Sequence, residues 1–245
     1  MLLQTLKPFM FDSVEAAKTG FYTSGTTGCG KSDIAMLCAD ALRAADVTVL
    51  IFDPSQDWIE RYPIDYYVKF NAPTACSTFN NDLPEVLLQD AIFDTSNLTT
   101  LQLQQVAEKF CWLLYRSQAE LPKVQRKLYC IIFEEAQIVF PEGVMKSNRL
   151  QNVVRLATVG RNFGIRIGVI TQFAAMVDKS AVRYMGQRFF GWTDEYNDVR
   201  RIGTMLGKEA AASLKFLKSG EFLYYCPSQR IQEKIAIEPY KSHKV

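Results

Sequence analysis

Hydrophobic patterning predicts an α/β domain, a central and mostly parallel sheet with helices on both faces. Three observations carry this expectation. Apolar runs rich in β-branched and aromatic residues recur at 47–52, 128–133 and 165–171. Between them lie longer stretches whose apolar residues return every three to four positions, the period of a helix. The run at 47–52 is continuous instead of alternating, as a strand buried on both faces of a parallel sheet requires. With 245 residues, 48% of them hydrophobic, the chain suits one such domain over 1–245. It divides into an N-terminal extension (1–19), a core (20–226) and a C-terminal strand and tail (227–245).

The elements follow in order. Residues 21–23 are a short apolar strand running into a glycine-rich loop. From Lys31 to Ala44, residues Ile34, Leu37, Cys38, Ala41 and Leu42 fall at helical spacing. The strand at 47–52 ends at Asp53 and Pro54, and a further short strand is expected at 66–70. Residues 71–97 are rich in Pro, Asn and Thr, with one helical stretch near 83–91. Asn97 or Thr99 can cap a long amphipathic helix over 101–119. Strands are expected at 128–133, 165–171, 187–192, 221–226 and 233–237, and helices at 149–160, 194–206 and 208–217.

Composition removes several function classes. The apolar runs fall well short of the ~20 residues a membrane span needs. The N-terminus lacks a basic start followed by a long apolar stretch, so no signal peptide is expected and the expected compartment is the cytoplasm. Six scattered cysteines form no C-x-x-C pair, and His243 is the single histidine, so a zinc site is not expected. Buried reduced thiols fit a reducing interior. A net charge of +2 gives no strong basic field, and any nucleic-acid contact must come from a local patch.

Gly25, Thr26, Thr27, Gly28, Cys29, Gly30, Lys31 and Ser32 match the phosphate-loop pattern G-x-x-x-x-G-K-[ST]. By average residue usage this pattern arises by chance in roughly one chain of this length in a hundred. An apolar strand before it and a helix after it lower that further. Glycines let consecutive N–H groups curl around one anion, and the helix adds the positive end of its dipole. Lys31 brings charge to the β- and γ-phosphates of ATP, and the Ser32 hydroxyl is a ligand for Mg²⁺.

A second constellation lies about a hundred residues on, where the strand 129–133 ends in Glu134 and Glu135. In P-loop motors such a strand lies beside the phosphate loop; its first acid holds the Mg²⁺ shell and a following glutamate polarises the attacking water. The first position is usually Asp, so Glu134 departs from the pattern, whereas Glu135 is the expected catalytic carboxylate; the alternative is a pair of ordinary surface acids after a strand.

Taken in order, further segments resemble the HerA–FtsK family of DNA-pumping ATPases. Residues 49–58 (VLIFDPSQDW) are similar to its strand followed by D-P/H-x-x-E-[YW], with Asp57 where Glu is common. Residues 134–137 (EEAQ) resemble its D-E-A-H, and 160–165 (GRNFGI) its G-R-K-[FY]-G-[IV]. Thr171 and Gln172 match its T-Q, and 214–222 (LKFLKSGEF) its L-x-x-L-x-x-G-[ED]-[FA]. The resemblance runs from about residue 20 to 226 and implies a RecA-like P-loop NTPase of the type with an additional strand and a catalytic glutamate.

It also implies roles. Gln172 senses the γ-phosphate, or is simply a polar strand terminus. Arg161, with Arg155 in reserve, is the candidate arginine finger for a neighbour's ATP in a ring, expected to be a hexamer; the alternative is a solvated helix arginine. The short stretch before the first strand points toward the genome-packaging ATPases of tailless, membrane-containing viruses. On that reading the partners are double-stranded DNA and capsid or vertex proteins, and the place of action is the host cytoplasm and the virion.

Candidate DNA contacts are Lys146 and Arg149 after the acidic pair and Lys179 and Arg183 after Gln172. The basic cluster 123–127 is as well explained by a solvated turn. A cellular or plasmid translocase, a P-loop phosphotransferase and a non-hydrolysing nucleotide switch are the competing readings. The 71–97 stretch carries no arginine, which counts against a kinase-like lid.

Overall fold

The computed structural model describes residues 11–69, 86–143 and 150–241. In chain order they form α1 (Ser13–Thr19), β1 (Phe21–Ser24), α2 (Lys31–Ala44), β2 (Thr48–Asp53), α3 (Asp57–Arg61), β3 (Tyr67–Lys69) and β4 (Ala91–Asp94). There follow α4 (Thr100–Ala119), β5 (Tyr129–Phe133), α5 (Gln151–Val159), β6 (Ile165–Thr171), α6 (Lys179–Arg183) and β7 (Gln187–Phe190). The last are α7 (Tyr196–Leu206), α8 (Lys208–Ala212), β8 (Glu221–Cys226) and β9 (Ile231–Ala236).

The strands make one sheet in the order β3-β4-β2-β5-β6-β1-β7-β8-β9. Pairing is parallel from β3 to β7, and β8 and β9 add on as antiparallel strands. The mostly parallel sheet that the apolar runs predict is therefore present.

Side-chain alternation splits the core between the two faces. Leu50, Phe52, Tyr129, Ile131 and Phe133 pack with α4, α5, α7 and α8 on one side. Val49, Ile51, Cys130 and Ile132 pack with α1, α2 and Trp58 of α3 on the other. On the first face Phe52 has ring neighbours Phe93, Phe110 and Phe133 at centroid distances of 4.8, 5.6 and 5.0 Å. Thr99 starts α4 in a capping box with Gln102, as the sequence suggests. The buried reduced cysteines are also found: Cys29, Cys38, Cys111, Cys130 and Cys226 are buried and free.

Several boundaries differ from expectation. Residues 91–94 are a strand, where the end of a helical stretch and then irregular chain were expected; most of that stretch lies outside the described residues. Four residues are too few to display a period, and pairing with β2 and β3 makes them a strand. The helix expected over 208–217 stops at Ala212 and resumes as a 3₁₀ turn, Leu214–Phe216, with the Ser213 hydroxyl bonded back to Ala210 O. The last strand starts at Ile231, earlier than expected, because its pairing partner β8 continues to Cys226. Three short helices, α1, α3 and α6, were not anticipated; Lys179 and Arg183, expected in a loop, lie on the last of them.

Gly168 sets how closely β6 packs against its surroundings. A Cβ there would sit 2.7 Å from the Phe21 ring and 3.0 Å from Ile132. Gly168→Val is expected to lower unfolding free energy by about 1–3 kcal/mol through overpacking. Denaturant titration checks this, and an unchanged midpoint would contradict the packing described.

Candidate active site

Parallel strands deliver their C-terminal ends to one edge of the sheet, where ligands of such folds bind. The glycine loop leaves β1, the acids leave β5, and Gln172 follows β6 at this edge. β6 lies between β5 and β1, so the acidic strand is one strand removed from the phosphate-loop strand instead of directly beside it. This corrects the simpler expectation and supplies the additional strand that the resemblance implied.

The loop is shaped from outside. Thr26 N–H donates to Trp192 O at 2.9 Å, Gly220 N–H to Cys29 O at 2.9 Å, and the Ser219 hydroxyl to Gly28 O at 2.7 Å. Gly28 and Gly30 take φ of 80° and 100°, conformations in which a side chain is strained. A Cβ at Gly28 would meet nothing within 4 Å, so backbone conformation alone demands glycine there. Gly30 caps α2 without a side chain to satisfy the first N–H groups. Those orphan donors and the helix dipole face the loop together. Lys31 Nζ reaches across it to Thr26 O at 3.0 Å. Such a cradle fits a nucleotide triphosphate.

The oxygens expected to bind a metal sit beside it. Ser32 Oγ is 3.4 Å from Glu134 Oε1, and Ser55 Oγ is 3.0 Å from Glu134 Oε2 and 2.9 Å from Asp53 Oδ1. Hydroxyl and carboxylate oxygens suit Mg²⁺, which completes its shell with water and phosphate. No cluster of three or more His, Cys, Asp or Glu able to hold a metal is found among the described residues. Burial, followed by the negative charge of Asp53, pushes Glu134 up to about 8. Burial also raises Asp53, although its carboxylate accepts the Ser55, Trp58 and Ile59 N–H groups and so fixes the start of α3. A cation at Ser32 and Glu134 would offset this crowding of negative charge.

Glu135 stands in the left-handed region, at φ 50° and ψ 47°, rarely adopted by residues other than glycine. The turn brings its carboxylate to the end of β6, where Gln172 Nε2 donates to Oε1 at 2.6 Å. Gln172 Oε1 accepts the Thr27 hydroxyl at 3.0 Å, so one amide links the carboxylate to the phosphate loop. Gln137 donates to the other carboxylate oxygen.

The structure thus brings together Lys31, Ser32, Glu134, Glu135 and Gln172. It does not bring Arg161 or Arg155 to this site. Arg161 is exposed in the 3₁₀ turn Gly160–Phe163 before β6, at the opposite edge of the sheet. Exposed Arg155 lies over the Tyr115 ring, 3.9 Å from its centroid, and donates to the Tyr115 hydroxyl at 2.7 Å. Lys179 and Arg183 are exposed on α6, whereas Lys146 and Arg149 lie outside the described residues. In the cluster 123–127, Arg126 bonds Leu121 O and Asn162 O and so braces a turn. Ser55 and Gln137 stand in the sequence motifs without a role of their own. Their signal, polar residues just beyond the ends of apolar strands, is too common to assign a partner.

No helix among the described residues is long and apolar enough to cross a membrane. No protein-family model matches the chain, and no curated protein matches its sequence. Solved structures do match in fold. The genome-packaging NTPase B204 from Sulfolobus turreted icosahedral virus 2, in complex with AMPPCP, aligns at a TM-score of 0.62 and 16% identity, over 91% of this chain and 99% of that one. The bacterial conjugative coupling protein TrwBdeltaN70 aligns at 0.66 and 10% identity, over 95% and 88%. VirB4 of Thermoanaerobacter pseudethanolicus aligns at 0.58 and 14%, over 90% of each chain. At these identities the likeness is one of fold, and the fold is that of a P-loop NTPase, as the resemblance to HerA–FtsK ATPases implied.

Proposed function

We propose that this chain is an ATP-hydrolysing translocase that drives double-stranded viral DNA into a preformed capsid. The observation that carries the reading is the convergence at one sheet edge of a phosphate loop, the Ser32–Glu134 pair and the clamped Glu135 carboxylate. In this reading Lys31 and the first N–H groups of α2 bind the β- and γ-phosphates. Ser32 and Glu134 hold Mg²⁺, which when bound neutralises phosphate charge. Glu135 orients the attacking water and Gln172 senses the γ-phosphate. Arg161, with Arg155 in reserve, completes the site of the next copy in a hexameric ring.

Contact with DNA is assigned to a basic groove between α6 and α7. Lys179, Arg183, Arg188, Arg200 and Arg201 surround a cavity of about 930 Å³, with Glu142 the acid among its lining side chains. Arg188 and Arg201 are tied to backbone carbonyls at Met185 and Val177. Lys179, Arg183 and Arg200 are exposed, placed for sequence-independent contact with phosphates. The alignment over 99% of B204 supports the packaging role, whereas the TM-score of 0.66 to a conjugative coupling protein favours the alternative of a cellular or plasmid translocase.

ATP turnover with and without duplex DNA, over a range of protein concentrations, tests the reading. Stimulation by DNA is expected; indifference to DNA rejects a translocase, and phosphate appearing on a small molecule would make the protein a transferase. Lys31→Ala is expected to weaken ATP binding by roughly 10–150-fold, the equivalent of one charge-assisted bond. Glu135→Gln is expected to keep binding while slowing hydrolysis by about 10²–10⁴-fold, the usual contribution of a general base. For the groove, Arg183→Ala and Arg200→Ala should each reduce the slope of log affinity against log salt by about 1, measured with duplex DNA.

A further inference from the structure

The two amides on Glu135 are held from opposite sides. Gln172 is suspended between Glu135 Oε1 and the Thr27 hydroxyl, which belongs to the exposed phosphate loop. Gln137 is suspended between Glu135 Oε2 and the end of β6, where its Oε1 accepts the Thr171 hydroxyl at 2.8 Å. Thr171 is fully buried, and its Oγ1 also accepts the Phe173 N–H at 3.1 Å. Chemistry fixes the direction of this chain. A carboxylate accepts, so Gln137 presents its NH₂ to Glu135 and its oxygen to Thr171, whose one hydroxyl proton then goes to Gln137 Oε1 at 2.8 Å in preference to Phe173 O at 3.2 Å.

One anchor of Glu135 therefore stands on the loop that a nucleotide reaches, and the other stands on the core of the sheet. We propose that Gln137, braced by Thr171, is a positioning residue that pins Oε2 and leaves Oε1 as the oxygen that takes the proton of the attacking water. The inference deepens the ATPase reading and rests on it. As Gln172 turns from Oε1 to the γ-phosphate, Oε1 loses its donor while Oε2 keeps its own, so the carboxylate does not swing. The water oxygen then bonds to phosphorus, its proton passes to Oε1, and the bridging oxygen leaves with ADP.

The same anchor explains how a left-handed glutamate persists. Such a backbone costs on the order of 1–3 kcal/mol and survives only where surrounding contacts over-determine it. Here the 3₁₀ turn Ala136–Ile138, opened by Ile138 N–H donating to Glu135 O at 2.9 Å, carries Gln137 back onto the carboxylate. Backbone and side chain of this short segment hold Glu135 from two directions.

Loss of the pin should disturb geometry without disturbing binding, because Gln137 touches no residue of the phosphate loop in these contacts. A displacement of about 1 Å at the reacting centre costs about 10²-fold in rate. Gln137→Ala and Thr171→Val are thus expected to lower kcat by roughly 10–100-fold. KM, and ATP affinity by calorimetry in the Glu135→Gln background, should stay near the parent values. Thr171→Ser, which keeps the hydroxyl, should restore most of the rate, and Gln137→Ala with Thr171→Val should be no slower than Gln137→Ala alone, since the two act in series. A Gln137→Ala protein that turns over like the parent, multiplying effects in the double variant, or a loss seen in ATP affinity instead of kcat would each overturn the assignment. A parent chain without ATP turnover would instead bring down the ATPase reading itself.

Discussion

The site depends on one constraint, the strand wedged between the phosphate loop and the acids. Neighbouring strands stand about 4.8 Å apart, so placing β6 between β1 and β5 puts the ends of those two strands roughly 10 Å from each other. A carboxylate leaving β5 in ordinary extended backbone would point along the sheet edge without turning back to the loop. The left-handed turn at Glu135 closes part of that gap, and Gln172, at the end of the intervening strand, closes the rest with one hydrogen bond in each direction. The amide of Gln172 is both donor and acceptor, which a carboxylate or an ammonium could not be.

The wedge also explains the division of labour between the two acids. Glu134 N–H still donates to Phe52 O, so Glu134 continues the ladder with β2 and its side chain stays beside Asp53 and Ser55. There burial and a second carboxylate push its proton affinity up, which makes it responsive to a cation. Glu135, one residue later, leaves the ladder and turns toward β6. Adjacent carboxylates thus occupy different electrostatic environments through a single change of backbone region.

How much of this was legible in the sequence depended on whether the cause was local. The phosphate loop could be read because Gly28 and Gly30 answer to their own φ angles and the helix after them shows its period at once. The strand at 129–133 could be read because burial on both faces leaves it apolar throughout, and the one at 165–171 because Arg166 and Thr171 are its only polar residues. β4, four residues long, had no room to show a pattern. α1 was missed because only seven residues form it and little of it is buried apolar surface. Within the site, the residue types could be read and the partners could not. Ser55 meets Glu134 across 79 residues and Thr171 meets Gln137 across 34, and only sheet order decides such meetings.

β6 finally relates the two ends of the proposed motor. Gln172 leaves one end of the strand, and Arg161 precedes the other; seven residues at about 3.3 Å each separate them by roughly 23 Å. A residue so placed cannot serve the phosphate loop of its own chain, and as a finger it would have to serve a neighbour's. The strand between them is parallel-paired on both sides and buried along nearly its whole length. A close-packed strand of that kind neither stretches nor slips in register. Sensor and finger would therefore move as one body, and any timing between adjacent sites in a ring would come from rotation of whole subunits against each other.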